Sequence, residues 1–283
     1  LDIAKLLKKQ LMKTKNYSSA PLPFQGQKRR FVKQFIEVIK KNPGKVYVDL
    51  FGGSGLLSHV AKSIHPDARV IFNDYDNFSQ RLANIPKTNV LLSDLRELNK
   101  GINPDAKLSD SQRERLVKRI KQENGFVDYI TLSSSLLFAM QYVKCFDDLS
   151  KSTFYNKVKM SDYNADAYLN GVEIVRDDYR NVYSAFKDQQ GVVFLIDPPY
   201  LSTDCTSYEN YWKLKDYLDV MLCLYDNSYV YFTSNKSNIV ELCEWIETNT
   251  GGKNPFNGAV TQTMSVSPTY NTSYTDMMIY KYV

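Results

Sequence analysis

The segment Val46-Tyr47-Val48-Asp49-Leu50-Phe51, closed by Gly52-Gly53-Ser54-Gly55 and followed by Leu56, Leu57, Val60, Ala61 and Ile64, constrains this chain more than any other stretch. A short, continuous apolar run is a strand buried on both faces, and such strands belong to parallel sheets covered by helices. The apolar residues after the glycines recur at helical spacing. A second apolar run, Arg69 to Asn73, ends in the acidic group Asp74-Tyr75-Asp76. Strand, helix, strand in that order predicts the opening of a doubly wound α/β sheet.

The surrounding sequence extends this pattern and then interrupts it. Ahead of the first strand, Phe31, Phe35, Ile36 and Ile39 mark a helix over 28–40, stopped by Asn42-Pro43-Gly44. Between about 97 and 170 the rhythm breaks. Ser109 to Asn124 reads as a helix with Leu116, Val117 and Ile120 inward, and Thr153 to Gly171 is poor in aliphatics and shows no buried strand. The expected organisation is a discontinuous α/β domain, 1–96 and 171–283, carrying a mainly helical insertion at 97–170. The α/β pattern resumes with the apolar strand Gly191 to Ile196, which runs directly into Asp197-Pro198-Pro199-Tyr200. A helix over 211–224, a strand over 228–233 and a helix over 239–246 follow. Two candidate strands, 259–266 and 274–282, joined through Pro268 and Asn271, predict a carboxy-terminal β-hairpin.

Composition sets limits on the partners. Of 283 residues 43% are hydrophobic and 24% charged, enough to bury a core, and the net charge of +5 is compatible with a polyanion without requiring one. The four cysteines, Cys145, Cys205, Cys223 and Cys243, have no zinc-site spacing and lie near neither His59 nor His65, so no metal is expected. No apolar run approaches the ~20 residues of a membrane span, so no membrane partner is expected. Leu1 to Tyr17 reads as a Lys-rich amphipathic helix, its apolar runs too short for a signal peptide. A reduced, cytoplasmic protein is expected. The chain opens on Leu1 rather than Met, which points to residues ahead of it.

Two constellations bear chemistry. At a strand end, glycines let a backbone approach a ligand closely, and an acidic residue some 20 positions on, here Asp74, suits ribose hydroxyls. No third glycine follows Gly53 and Gly55, so the dinucleotide pattern is incomplete. An adenosyl ligand bearing an amino acid needs fewer glycines and more acceptors, of which Asp49 is one. The alternative is a tight strand–helix turn without a ligand. In Asp197-Pro198-Pro199-Tyr200, a carboxylate and the Pro198 carbonyl together suit an amine whose lone pair is delocalised into a ring. Two acceptors on its hydrogens draw the nitrogen towards tetrahedral geometry. Consecutive prolines stiffen the backbone and remove competing N–H donors, and Tyr200 offers a face on which an extruded base can stack. The alternative here is a proline-rich turn.

In this order the motifs resemble the Dam-like, α-group family of DNA adenine-N6 methyltransferases. The family's P-F-x-G-x-K stretch matches Pro23-Phe24-Gln25-Gly26-Gln27-Lys28, and its D/E-x-F-x-G-x-G motif matches Asp49, Phe51, Gly53 and Gly55. Its acidic N-D motif matches Asn73-Asp74-Tyr75-Asp76, with Asp76 where Asn is usual. A short D-F or D-Y motif matches Asp178-Tyr179, beside Asp177, and D-P-P-Y is intact at 197–200. The resemblance covers residues 20 to 80 and 172 to 240. It implies a Rossmann-like S-adenosylmethionine-dependent methyltransferase sheet and double-stranded DNA as the partner. It implies cofactor binding by Phe24, Lys28, Asp49, Phe51, Gly52, Gly53, Ser54, Gly55, Asp74, Asp178 and Tyr179, and catalysis by Asp197, Pro198, Pro199 and Tyr200.

The insertion would then recognise the target. Arg113, Arg115, Lys118 and Arg119, with Lys121, crowd one helix as candidate DNA contacts or as a solvated face. Lys157 and Lys159 are candidate phosphate contacts, and Asn156 and Asn164 suit adenine edges. The family's Arg-Phe-Asn and Gly-x-Phe-Asn pattern is replaced by Thr153-Phe154-Tyr155-Asn156-Lys157 and Asp162-Tyr163-Asn164-Ala165, so the methylated sequence does not carry over. The sequence also leaves open whether such an enzyme would serve a restriction-modification system. Cytosine-N4 methylation is the nearest alternative, and S-P-P-Y is commoner there than D-P-P-Y. A non-catalytic DNA-binding protein of the same fold and a nicotinamide oxidoreductase are the others.

Overall fold

The computed structural model describes residues 16–138, 141–201, 212–269 and 272–283. The expected amino-terminal helix, Cys205, Tyr211 and Asn271 lie wholly or mainly outside them. The chain divides into two units: Leu1–Ser19, Lys28–Asp76 and Leu169–Val283 form one, Ala20–Gln27 and Asn77–Tyr168 the other. The sequence pattern alone predicts these borders at 97 and 170. The stretch 85–98 accounts for part of the difference, because its Leu91, Leu92 and Leu95 belong to the second unit's own core.

The first unit is built on strands β1 (Val46–Asp49), β2 (Arg69–Asn73), β3 (Glu173–Val175), β4 (Val192–Ile196), β5 (Ser228–Ser234), β6 (Val260–Thr269) and β7 (Thr272–Lys281), in the order β3-β2-β1-β4-β5-β7-β6. The first five pair in parallel, while β7 runs antiparallel to both β5 and β6. This is the expected Rossmann-like sheet with its carboxy-terminal hairpin, β7 wedged between β5 and β6. Strands β1, β2 and β4 are almost wholly buried, as double coverage by helices requires. Helices α1 (Val32–Lys41) and α2 (Leu56–Ile64) pack on each other, and α2 also packs on β1 and β2. A second core joins Val48, Phe194 and Tyr231 of the sheet to Val182, Val220 and Cys243 of α8 (Tyr179–Phe186), α9 (Leu214–Leu222) and α10 (Ile239–Thr250). Strand β3 went unforeseen: only three residues long and largely exposed, it lacks the apolar signature of its neighbours.

The second unit is mainly helical, with α3 (Phe78–Ala83), α4 (Ile85–Leu98), α5 (Asp110–Lys121), α6 (Tyr129–Leu136) and α7 (Phe146–Lys151). Leu91, Leu95, Leu116, Ile120, Leu132, Leu149 and Phe154 share its core. Ser109 caps α5 in a reciprocal box with Gln112. Asp128 caps α6 and receives the Arg81 guanidinium at 3.0 Å, both side chains buried. Arg81 also donates to the Pro23 carbonyl at 2.8 Å, and Phe24 meets Phe78 edge-on, which ties the 20–27 segment to this unit.

Candidate active site

The strand order reverses between β1 and β4, and in open α/β sheets ligands sit beyond the carboxyl ends of strands at such a point. Asp49, the last residue of β1, is 1% exposed. Its Oδ2 accepts from Ser58 Oγ at 2.7 Å, while its buried Oδ1 has no partner. Burial pushes the Asp49 carboxyl up to about 7, against the Ser58 bond and with help from the nearby charge of Asp197. An acceptor left in this state matches a cationic ligand group that supplies the missing donor.

The glycine turn beyond Asp49 divides its work. Gly55 begins α2 at φ +70°, where an L side chain is strained, and its N–H closes the turn onto the Gly52 carbonyl at 2.7 Å. At Gly52 a Cβ would stand 2.2 Å from the Phe72 ring, so that glycine serves packing against β2. Ser54 is buried beneath the turn.

Asp74, one residue past β2, is 2% exposed, and its backbone N–H donates to Val175 at 2.8 Å. Asn73 joins three strand ends. Its amide donates to the carbonyls of Leu50 and Asp177, each at 3.0 Å, and accepts from the Asp177 N–H at 3.1 Å. This fixes the turn that delivers Tyr179. Asp178 is exposed and caps α8 through the Arg180 N–H at 2.8 Å. Tyr179 is buried with its ring 4.8 Å from Phe51 and 6.0 Å from Trp212, the latter nearly parallel. Phe51, Tyr179 and Trp212 thus form one aromatic cluster, of which the sequence motifs contain only the first two.

Asp197 follows β4 directly. Its Oδ2 lies 2.6 Å from Lys28 Nζ, the side chains being 18% and 10% exposed. The same ammonium stands 5.2 Å from the Tyr200 ring centroid and 6.0 Å from that of Phe232. Burial raises the Asp197 carboxyl above the usual range, Lys28 opposes that rise, and Asp276 of β7 adds to it. Lys28, expected at the cofactor, therefore pairs with the candidate catalytic carboxylate. Nothing in the residue pattern signalled Asp276, which the hairpin brings in from the far end of the chain.

A sequence model of the D12 class of N6 adenine-specific DNA methyltransferases matches residues 24–219. The chain belongs to that family. A Haemophilus influenzae protein named "Putative methyltransferase" is 35% identical over 97% of this chain and 96% of its own length. Among solved structures, a precorrin-6y C5,15-methyltransferase from Geobacter metallireducens covers 95% of this chain and 100% of its own at 9% identity and a TM-score of 0.39, a likeness too remote to bear on the reaction.

In the D12-class chain the candidate DNA contacts fare unequally. Arg113 donates to the Ser152 carbonyl at 2.9 Å and to that of Ser150. Arg119 is held between Asp94 and Glu123, at 2.7 Å to each. The Asn156 amide donates to the carbonyls of Ile102 (2.8 Å) and Asn103 (3.3 Å) and accepts from Asn99 at 3.0 Å. These three are engaged within their own unit. Arg115, Lys118 and Lys159 are exposed, the last 4.5 Å from the Tyr163 ring centroid. Lys157 Nζ stands 5.9 Å from the Phe138 ring, and Asn164 is exposed in a local turn with Asp166. Among the described residues no group of three or more His, Cys, Asp or Glu could hold a metal, and no helix is long and apolar enough to cross a membrane.

Proposed function

We propose that this chain transfers a methyl group from S-adenosylmethionine to the exocyclic amine of an adenine extruded from double-stranded DNA. One observation carries the reading: Asp197-Pro198-Pro199-Tyr200 follows β4, which pairs with β1, whose last residue holds a buried carboxylate oxygen without a partner. Asp49 Oδ1 suits the ammonium of the cofactor's amino-acid portion, and Asp74 suits its ribose. The aromatic cluster of Phe51, Tyr179 and Trp212 suits an adenine ring. Gly53, at φ +53°, and Gly55 keep the turn free of side chains. The bound cofactor supplies an electrophilic methyl group.

The amine is activated by this chain's own groups. The Asp197 carboxylate and the Pro198 carbonyl accept its two hydrogens and restore the nitrogen lone pair. Tyr200 stacks on the base, a contact worth ~1–3 kcal/mol towards the cost of unstacking. Only an ionised carboxylate accepts in this way. Lys28 supplies the counter-charge that keeps Asp197 ionised despite its burial. Methylation leaves the nitrogen cationic with both its protons, and Asp197 takes one of them and passes it to solvent, leaving the neutral methylated amine. Residues 77–168 act as the target-recognition unit, with Arg115, Lys118, Lys157 and Lys159 towards phosphates and Asn164 towards a base.

Incubation with DNA and S-adenosylmethionine, followed by digestion to nucleosides and mass analysis, is expected to yield N6-methyladenine. N4-methylcytosine instead would move the reaction to the other amino base. Loss of no more than tenfold in turnover for Asp197→Ala would sink the assignment of Asp197.

A further inference from the structure

Beside Asp197 the first unit carries exposed cations for which the reaction as described has no use. Lys28 is fixed on Asp197, and three residues later the buried Phe31 is fixed on Phe232 of β5, their rings 5.7 Å apart. The turn between those anchors, closed by the Phe31 N–H on the Lys28 carbonyl at 2.9 Å, presents Arg29 and Arg30 to solvent. Four residues beyond Phe232 comes Lys236, also exposed. Its place is fixed as well. Asn235 and Thr275 exchange backbone and side-chain bonds of 2.9 and 2.8 Å, and the Lys236 N–H donates to Ser234 Oγ at 3.3 Å. The Lys236 ammonium lies 4.4 Å from the Tyr274 ring centroid.

These positions converge on Asp276, which pairs with Ser234 across β5 and β7. Burial raises the carboxyl of this half-buried residue, and the charges of Lys28, Arg30 and Lys236 oppose that rise. With Lys28 already matched to Asp197, two exposed cations face one half-buried carboxylate, and Arg29 adds a third. Among the described residues neither Arg30 nor Lys236 makes an ion pair within 4 Å. The excess positive charge sits on backbone that these bonds hold, next to the Lys28–Asp197 pair.

We propose that Arg30 and Lys236, with Tyr274 beneath the lysine, form a phosphate-binding rim on the methyltransferase unit. It would grip the DNA backbone at the nucleotide whose base enters the Asp197 site. The inference rests on the DNA reading given above. Its place in the molecule separates it from the contacts assigned to residues 77–168: it lies beside the chemistry and holds the extruded nucleotide rather than the flanking duplex. Phosphate contacts fix register without reading sequence, so the rim would act alike on every target.

Duplex DNA binding measured across a salt series tests this. Each phosphate contact contributes about one unit to the slope of log K against log salt. Arg30→Ala with Lys236→Ala is expected to flatten that slope by about two units and to lower kcat/KM for DNA methylation. S-adenosylmethionine affinity and the thermal midpoint should stay as in the parent protein. The paired replacement Arg30→Lys with Lys236→Arg keeps both charges and should restore the slope, which separates lost charge from a damaged turn. If the parent protein binds duplex with a salt-dependent slope and the alanine pair leaves it unchanged, the rim is overturned while the DNA reading stands. If the parent protein binds no duplex even at low salt, the reading and the rim fall together.

Discussion

Asp49 enters the fold with one carboxylate oxygen bonded and the other buried without a donor. Burial lifts its pKa to about 7, which makes the site sensitive to pH near neutrality. In the free protein the carboxyl is largely protonated at pH 6, whereas a ligand ammonium requires it ionised. Binding must therefore release a proton, and the Kd for S-adenosylmethionine should fall as the pH rises from about 6 to about 8 and then level. In Asp49→Asn the affinity should be weak and the slope absent, which calorimetry at several pH values would reveal. The same shift has the opposite consequence for stability without ligand. A carboxyl raised in the folded state favours folding below its unfolded value near ~4, and that contribution is lost as the pH climbs through about 7. Asp197 differs because Lys28 opposes its rise. Lys28→Met should let the carboxyl rise further and move the acidic limb of the methylation rate to higher pH. An unmoved pH profile would show that Lys28 does not set the ionisation of Asp197.

At the scale of elements, the legible parts were those whose side chains carry their own period. Strands β1, β2, β4 and β5 stood out as apolar runs because the sheet is covered on both faces, and Gly52 to Gly55 marked the turn because backbone conformation is written into residue type. Strand β3 has three residues and one buried neighbour, so it left no pattern. Asn73 was visible as a motif letter, but its bonds to Leu50 and Asp177 join residues 23 and 104 positions away, which no local pattern reveals. Trp212 follows the catalytic turn without any periodic context, and only packing puts it against Tyr179. That placement has a spectroscopic consequence. The chain holds two tryptophans, and Trp245 is 58% exposed on α10. In Trp245→Phe the emission comes from Trp212 alone, and S-adenosylmethionine should shift or quench it as an adenine ring joins the cluster. An unchanged spectrum at saturating cofactor would remove Trp212 from the adenine site.

Across the whole molecule, residues of one type serve different ends depending on which partners the fold has already given them. In residues 77–168 the sequence offered nine polar candidates for DNA, and only burial and hydrogen bonding distinguish them. Asn156 makes its bonds with Asn99, Ile102 and Asn103, whereas Lys118 and Lys159 remain exposed. Replacing Asn156 with Ala leaves the carbonyls of Ile102 and Asn103 short of a donor, at a cost on the order of 1–3 kcal/mol if they stay shielded from water. Each 1 kcal/mol moves the midpoint of a domain of 150–250 residues by roughly 2–4 °C, so Asn156→Ala should melt measurably lower. Binding by its folded fraction should keep the parent salt slope and sequence preference. Lys118→Ala and Lys159→Ala should behave in the converse way, with an unchanged midpoint and a slope of log K against log salt shallower by about one unit for each lysine that touches a phosphate. Thermal scans paired with binding to cognate and scrambled duplexes across a salt series would separate the two classes. Relaxed sequence preference in Asn156→Ala at an unaltered midpoint would return that residue to base reading. Unaltered slopes in both lysine variants would move the backbone contacts of this unit to Arg115 and Lys157.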